Sequence, residues 1–305
     1  MIALSQRYTY LDICMSLQLL ADCYSEIAVC RTAGRSQDGR RIPMLRLGLG
    51  RQNLVCTAGI HGREAVNPVL LLKMIEEYGQ AFRFQRRIAG FEVRALLKRY
   101  AILFLPLLNP DGYEVARTGF SAISNPLYRR MARARRIFHR DWKLNARGVD
   151  INRNFPSRSY VRQQLCEYPG SELETQTLMR VFQSYETAGY LDFHSRGKIL
   201  YYYRNAMPHT YNQRCRRYAR QLQALCGYAL GNRREEQTDG SGGGNSVHFY
   251  SENTGNPAIT VETLGADTEF PAPVSSQEEA YREVRALPLG FLEALSACKF
   301  TGGLV

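Results

Sequence analysis

The chain has 305 residues, 45% hydrophobic and 22% charged, with a formal net charge of +12. That length can bury a full core, and with no linker-like stretch a single domain over 1–305 is expected. No run approaches the roughly 18 apolar residues of a membrane span, and the start MIALSQRYTYLDICMSLQLL lacks the basic, apolar and small-residue regions of a signal peptide. A cytoplasmic chain with no signal peptide, pro-domain or membrane association is therefore expected. Its eight cysteines, Cys14, Cys23, Cys30, Cys56, Cys166, Cys215, Cys226 and Cys298, are scattered without CxxC spacing, and are expected to be reduced and mostly buried.

In chain order, residues 9–29 carry Leu11, Met15, Leu19, Leu20 and Tyr24 at helical spacing and predict a helix. Residues 31–50, with Gly34, Asp38-Gly39 and Gly48, predict an edge hairpin. Residues 54–60 are apolar, rich in small and β-branched side chains and stopped by glycine, which predicts a buried strand. A helix should follow over 65–78, with Val66, Val69, Leu70, Met74 and Ile75 on one face and Pro68 near its first turn. Another helix is expected over 82–98, then a central strand over the apolar run 100–108, ending in an Asn109-Pro110-Asp111-Gly112-Tyr113 turn. Residues 129–147 hold Arg129, Arg130, Arg133, Arg135, Arg136, Arg140, Lys143 and Arg147. They contain no recognisable nucleic-acid-binding module, so a solvated basic face is expected and no nucleic-acid partner. Beyond the polar cluster at 148–156 the pattern predicts a helix over 172–186, strands at 189–194 and 199–203, and a basic amphipathic helix over 211–228. A glycine-rich loop at 239–245, a strand at 258–264 and a closing helix over 277–297 complete it. Strands alternating with helices predict an α/β domain with a mostly parallel or mixed sheet covered on both faces.

In such sheets function collects at the carboxyl ends of strands, and His61, Asn109, His194 and Glu262 fall at or near predicted ends. His61 and Glu64 share one strand-to-helix loop, three positions apart, close enough to ligate one ion together. Two histidines and one glutamate, with a fourth position open to water, form the ligand set of a catalytic zinc site. Hydrolysis then needs a separate carboxylate to take the water's proton and hand it to the leaving amine, and Glu262, alone in the apolar AITVETL, suits that work.

The segments HGRE, NPDGY, GVDINRNFP, DFHSRG and ITVE, in this order and at these separations, resemble the zinc carboxypeptidase family typified by carboxypeptidase A. The similarity runs from about Tyr8 to the C-terminal helix. It implies a mixed, roughly eight-stranded sheet sandwiched between helices (α/β/α) and one zinc per chain. It further implies His61, Glu64 and His194 as ligands, Glu262 as general base, and Asp150 as the carboxylate that receives the other ring N–H of the first histidine. Asn152 and Arg153 match the pair that holds the substrate's terminal carboxylate, work suited to a guanidinium fork. The family's carbonyl-polarising arginine falls on Lys143, with Arg135 or Arg140 as alternatives, and lysine supplies charge but no bidentate fork. The tyrosine that covers substrate in the digestive enzymes falls near Gly240 and is absent, and the usual specificity position falls near Val247. These departures, with WKLNARGVD and FHSRGKILYYYR, resemble the bacterial branch that cuts γ-D-glutamyl bonds to diaminopimelate in murein peptides. The resemblance implies a peptide or murein-peptide substrate. Removal of C-terminal L-residues from α-linked peptides is the alternative, and non-catalytic polyanion binding a remote one.

Overall fold

A computed structural model describes residues 1–162, 168–232 and 243–301, with 298–301 described by backbone alone. Helix α1 (Tyr10–Cys23) starts with a reciprocal cap in which Thr9 and Asp12 satisfy each other's backbone N–H. The hairpin β1 (Ala28–Arg35) and β2 (Arg41–Gly48) follows, then β3 (Gln52–Thr57) and α2 (Val66–Arg83). A short ribbon, β4 (Arg87–Ile88) and β5 (Phe91–Glu92), leads to α3 (Val93–Arg99), β6 (Tyr100–Leu105), α4 (Pro110–Thr118) and α5 (Pro126–Ala134). The remainder comprises α6 (Leu173–Ser184), β7 (Thr187–Ser195), β8 (Ile199–Tyr201), α7 (His209–Cys226), β9 (Ala229–Leu230), α8 (Ser246–Thr254), β10 (Ala258–Thr263), α9 (Ser276–Val284) and α10 (Leu287–Thr301).

Eight strands form one mixed sheet in the order β1-β2-β6-β3-β7-β10-β8-β9. The central run β6, β3, β7 and β10 is parallel throughout, so all four carboxyl ends open on one edge. Alternation along these strands divides the core in two. Leu54, Cys56, Ile102, Phe104, Leu191, Phe193, Ile259 and Val261 belong to one apolar cluster. Val55, Leu103, Leu105, Tyr190 and Ala258 belong to the other. Each fully buried aliphatic side chain contributes roughly 1.5–3 kcal/mol, so the register is strongly held. It follows that Asp192 and His194, in step with Tyr190, and Glu262, in step with Ala258, face the same side of the sheet.

The expected α/β/α sandwich and eight-stranded mixed sheet are what the chain forms. Several local expectations are corrected. On α1 the buried face is Ile13, Leu17, Leu20 and Ala21, whereas Leu11, Met15 and Leu19 stay 61% to 65% exposed. Both stripes have four-residue spacing, so periodicity located the helix, but of the five residues it named only Leu20 and Tyr24 are buried. Residues 82–98 are not one helix, because positive φ at Gln85, Ala89 and Gly90 turns the chain through the β4–β5 ribbon first. Asn109 caps α4 by accepting from Gly112 N at 2.8 Å, with Pro110 at the first helical position, so NPDG opens a helix. The closing helix is two, α9 and α10. Of the six cysteines described in full, Cys56 and Cys215 are buried, Cys14, Cys30 and Cys226 half-buried and Cys23 exposed, and all six are free thiols. Cys166 and the side chain of Cys298 lie outside the described residues. No helix among the described residues is long and apolar enough to cross a membrane.

Candidate metal centre

β3 ends at Thr57 and the chain turns through Gly59, whose φ of 63° suits glycine. Asn109 anchors the loop that follows: its Nδ2 donates to Ile60 O at 3.0 Å and Leu144 O at 3.2 Å. Gly62 then packs so tightly on Gly112 that an added Cβ would lie 2.2 Å from its carbonyl. The glycine and asparagine of NPDG therefore fix the strand-to-helix loop against the segment that carries Lys143. Asp111 extends the brace to the β1–β2 turn, accepting from Ser36 Oγ and Arg40 NH1, both at 2.8 Å.

On that loop Glu64 N donates to His61 O at 3.2 Å, a turn that brings the two side chains together with His61 Nδ1 2.7 Å from Glu64 Oε1. His194, at the end of β7, places its Nδ1 3.2 Å from Glu64 Oε2, which also accepts from Ser195 N at 3.2 Å. One donor atom from each of His61, Glu64 and His194 lies within 4.8 Å of the others. Each ring turns its second nitrogen to a different carboxylate. His61 Nε2 is 3.3 Å from Asp150 Oδ1, and His194 Nε2 is 3.0 Å from Asp192 Oδ2, a contact off-line for a hydrogen bond. Such outer carboxylates fix the tautomer and leave both Nδ1 atoms for a cation.

The electrostatics agree with a cation receptor. Burial alone would depress His61 and His194, but carboxylates outweigh it, Glu64 and Asp150 for His61, Asp192 and Glu64 for His194, and hold both rings above the ordinary value. Burial would likewise raise Glu64, yet the two histidines bring it down to about 2. Asp150 and Asp192 are also lowered, each by its histidine against burial. The donor set and its outer partners fit zinc, which takes nitrogen and carboxylate oxygen at about 2.0–2.2 Å.

Glu262 pairs with His194 in the parallel β7–β10 register. It stands beside the donors without joining them, and burial, the largest influence, raises it to about 7, with Glu64 and Asp192 adding and His194 and His61 opposing. Asn152 and Arg153 lie on a single helical turn of three residues started by Asp150, whose side chain accepts from Asn152 N at 3.0 Å. Asn152 Oδ1 in turn accepts from Ser246 N at 3.1 Å, and Arg153 donates to Asn152 O at 3.0 Å.

Lys143 reaches this place, with Nζ 2.7 Å from Asp150 Oδ2, which shares its charge. Of the alternatives, Arg135 donates to Gly148 O at 2.6 Å, and Arg140 is exposed with its guanidinium 5.9 Å from the Phe138 ring. Val247 is 2% exposed, packed in the same apolar cluster as Ile151, Phe155 and Phe249, and offers almost no surface to a ligand. The position near Gly240 lies outside the described residues. The basic segment is not a uniform solvated face either, since Arg129, Arg135, Lys143 and Arg147 each hold a partner within the fold.

Sequence reasoning missed the support behind His194. Asp192 accepts from Thr57 Oγ1 at 2.6 Å and Ser246 Oγ at 2.5 Å, and Tyr190 Oη bonds both hydroxyls at 2.7 and 3.1 Å. The available signal was the two-residue spacing of Asp192 and His194, which puts both on one face of a strand.

The zinc carboxypeptidase family model matches residues 13–286. The chain belongs to the zinc carboxypeptidase family. Among curated proteins it is 24% identical over 274 residues to gamma-D-glutamyl-L-diamino acid endopeptidase 1 of Lysinibacillus sphaericus, covering 85% of this chain and 66% of that one. Among solved structures, bovine thrombin-activatable fibrinolysis inhibitor in complex with tick carboxypeptidase inhibitor superposes with a TM-score of 0.79 at 16% identity, over 97% of this chain and 99% of that one. Murein-tripeptide amidase MpaA from Escherichia coli O157 gives 0.53 at 18% identity, over 86% and 91%. The chain spans 50% and 66% of the lengths of two of the curated relatives it matches.

Proposed function

We propose that this protein is a zinc peptidase that hydrolyses an amide bond next to a carboxylate-bearing residue, and that its substrate is the γ-D-glutamyl–diaminopimelate bond of murein peptides. The observation that carries the hydrolytic reading is the register of β7 and β10, which sets the Glu262 carboxylate beside His194 but outside the donor group. His61, Glu64 and His194 would hold a zinc ion, which would supply a Lewis acid for the substrate carbonyl and lower the pKa of a water to about 7. Glu262 takes the proton of the attacking water and delivers it to the leaving amine. Asp150 and Asp192 hold the two rings, and Lys143 keeps Asp150 ionised at 2.7 Å. Asn152 and Arg153 take the free carboxylate of the substrate, which places the scissile bond one residue inward.

The murein assignment is supported by the activities named for the Lysinibacillus protein and the Escherichia coli amidase. The net charge of +12 suits so acidic a ligand. Its test is incubation of the zinc-loaded protein with L-Ala-γ-D-Glu-meso-diaminopimelate, with products read by mass spectrometry. Release of diaminopimelate is expected, and an intact tripeptide with zinc fully loaded would sink the assignment. A second reading, a carboxypeptidase acting on α-linked peptides, is favoured by Asn152 and Arg153, which would hold any C-terminal carboxylate. Faster turnover of an N-blocked L-dipeptide than of the murein tripeptide would select it.

A further inference from the structure

Helix α5 and the chain that follows it to Arg140 read PLYRRMARARRIFHR, with six arginines and no aspartate or glutamate. Asn125 caps the helix by accepting from Leu127 N at 2.9 Å, and Pro126 opens it. Its buried side is Ala132, which joins Val115, Ile123, Trp142 and Leu144 in a small apolar cluster, with Tyr128 packed against it. An ordinary surface helix turns its large apolar residues to that side. Here Leu127 and Met131, one turn apart, face outward at 62% and 37% exposure, in line with the exposed Ala134. Phe138, past the helix end, is 61% exposed as well. Two arginines of the stretch serve the fold, Arg129 through Ile123 O and Arg135 through Gly148 O. Arg130, Arg133 and Arg136 are exposed and form no ion pair among the described residues.

Apolar side chains set outward among unpaired cations fit a surface that is both anionic and able to take up hydrocarbon. Two other helices separate the requirements. The exposed stripe of α1, Leu11, Met15 and Leu19, lies on a helix with Asp12 and Asp22 and no basic residue, so it has apolar exposure without the charge. Helix α7 has the charge alone, with Arg216, Arg217 and Arg220 exposed and no large apolar side chain exposed among them. A soluble polyanion needs only cations and would suit α7 as well as α5. An anionic bilayer uses both features of α5, because headgroups attract arginine and the headgroup boundary accepts apolar side chains. That no helix among the described residues can span a bilayer does not bear on a contact lying in the interface plane.

We propose that α5 and residues 135–140 dock this protein on an anionic phospholipid surface. Leu127, Met131 and Phe138 enter the headgroup boundary, and Arg130, Arg133 and Arg136 meet lipid phosphates. Arg135 ties the helix to Gly148, in the loop that carries Asp150, so docking orients the metal centre relative to the surface without occupying any of its residues. Attachment of this kind is peripheral and weakens as salt screens the arginines. It does not depend on which peptide is cleaved.

The test is sedimentation of the zinc-loaded full chain with vesicles of phosphatidylcholine alone and of equal parts phosphatidylcholine and phosphatidylglycerol. Two double variants at exposed positions run in parallel, Arg130→Gln/Arg133→Gln and Leu127→Ser/Met131→Ser. Binding to the mixed vesicles only is expected, and each pair should weaken it about tenfold or more. Melting temperature and turnover of a soluble peptide should stay unchanged in both variants. No binding to either vesicle, or equal binding to both, overturns the proposal. Binding unchanged in both variants also overturns it, by placing the contact elsewhere. Arginine-dependent binding that survives Leu127→Ser/Met131→Ser and is matched by soluble polyphosphate overturns the bilayer and assigns the face to polyanions.

Discussion

Glu64 and Glu174 are both buried glutamates in polar clusters, yet one is brought down to about 2 and the other pushed up to about 8. Burial is the largest influence on each and raises both, so the neighbours decide the outcome. Glu64 lies between two imidazoles. Glu174 shares its surroundings with Asp111 and Glu172, and the cations of that cluster are Arg40, paired to Asp111, and Arg147, paired to Glu172. Arginine does not release its proton, so the second cluster is already complete and braces α6 against the Asn145 turn and the β1–β2 turn. Histidine does release it, and a metal can replace that proton. The comparison separates a structural knot from a cation receptor by the kind of cation each contains.

Predictions that break or sharpen this contrast run from large to small. His194→Ala removes a donor and leaves Glu64 with one histidine, and zinc content and hydrolysis should both fall to background, measured by elemental analysis and turnover. Glu262→Gln should keep zinc near one per chain while kcat falls about 10²–10⁴-fold; loss of zinc in this variant would place Glu262 among the ligands. Asp192→Asn should weaken zinc about 10–100-fold by releasing the His194 ring, read by competition with a chelator. Unchanged affinity would mean that Thr57, Tyr190 and Ser246 hold the ring without it.

The smallest effect belongs to Glu174. Its folded pKa of about 8 lies above the ordinary carboxylate value, so between those two values the folded chain binds more protons than the unfolded one, and stability falls as pH rises through that window. Glu174→Gln mimics the protonated form. It should flatten the decline and gain on the order of 1 kcal/mol near pH 8, after the weak contact from Asn145 Nδ2 to Oε2 at 3.3 Å is given up. Denaturant melts of both proteins at pH 5 and pH 8 read the difference, and an equal decline in each would show that Glu174 ionises freely.

Most of the architecture was legible because burial on both faces leaves a strong pattern: the apolar runs 100–108 and 54–60 mark the inner strands, which end at Leu105 and Thr57. The metal donors were legible for a related reason, since strand ends on parallel neighbours converge. Failures cluster where the deciding contact is remote. Which stripe of α1 is buried depends on packing against α2 and β1, not on spacing within the helix. The break in 82–98 depends on positive φ at Gln85 and Ala89, residues that carry no turn signature. Lys143 could be aligned from its place before GVD, but that Asp150 shares its charge is a fact of three dimensions. Asp192 was in view within DFHS, and only the alternation of β7 shows that it backs His194.

The most direct measurement is zinc content and product analysis on one preparation given L-Ala-γ-D-Glu-meso-diaminopimelate, with Glu262→Gln in parallel. About one zinc in both proteins, with diaminopimelate released by the wild type alone, is the result expected from a His61–Glu64–His194 centre served by a separate base. Full zinc with an untouched tripeptide and a cleaved α-linked peptide would contradict the substrate, and hydrolysis that persists in Glu262→Gln would contradict the mechanism.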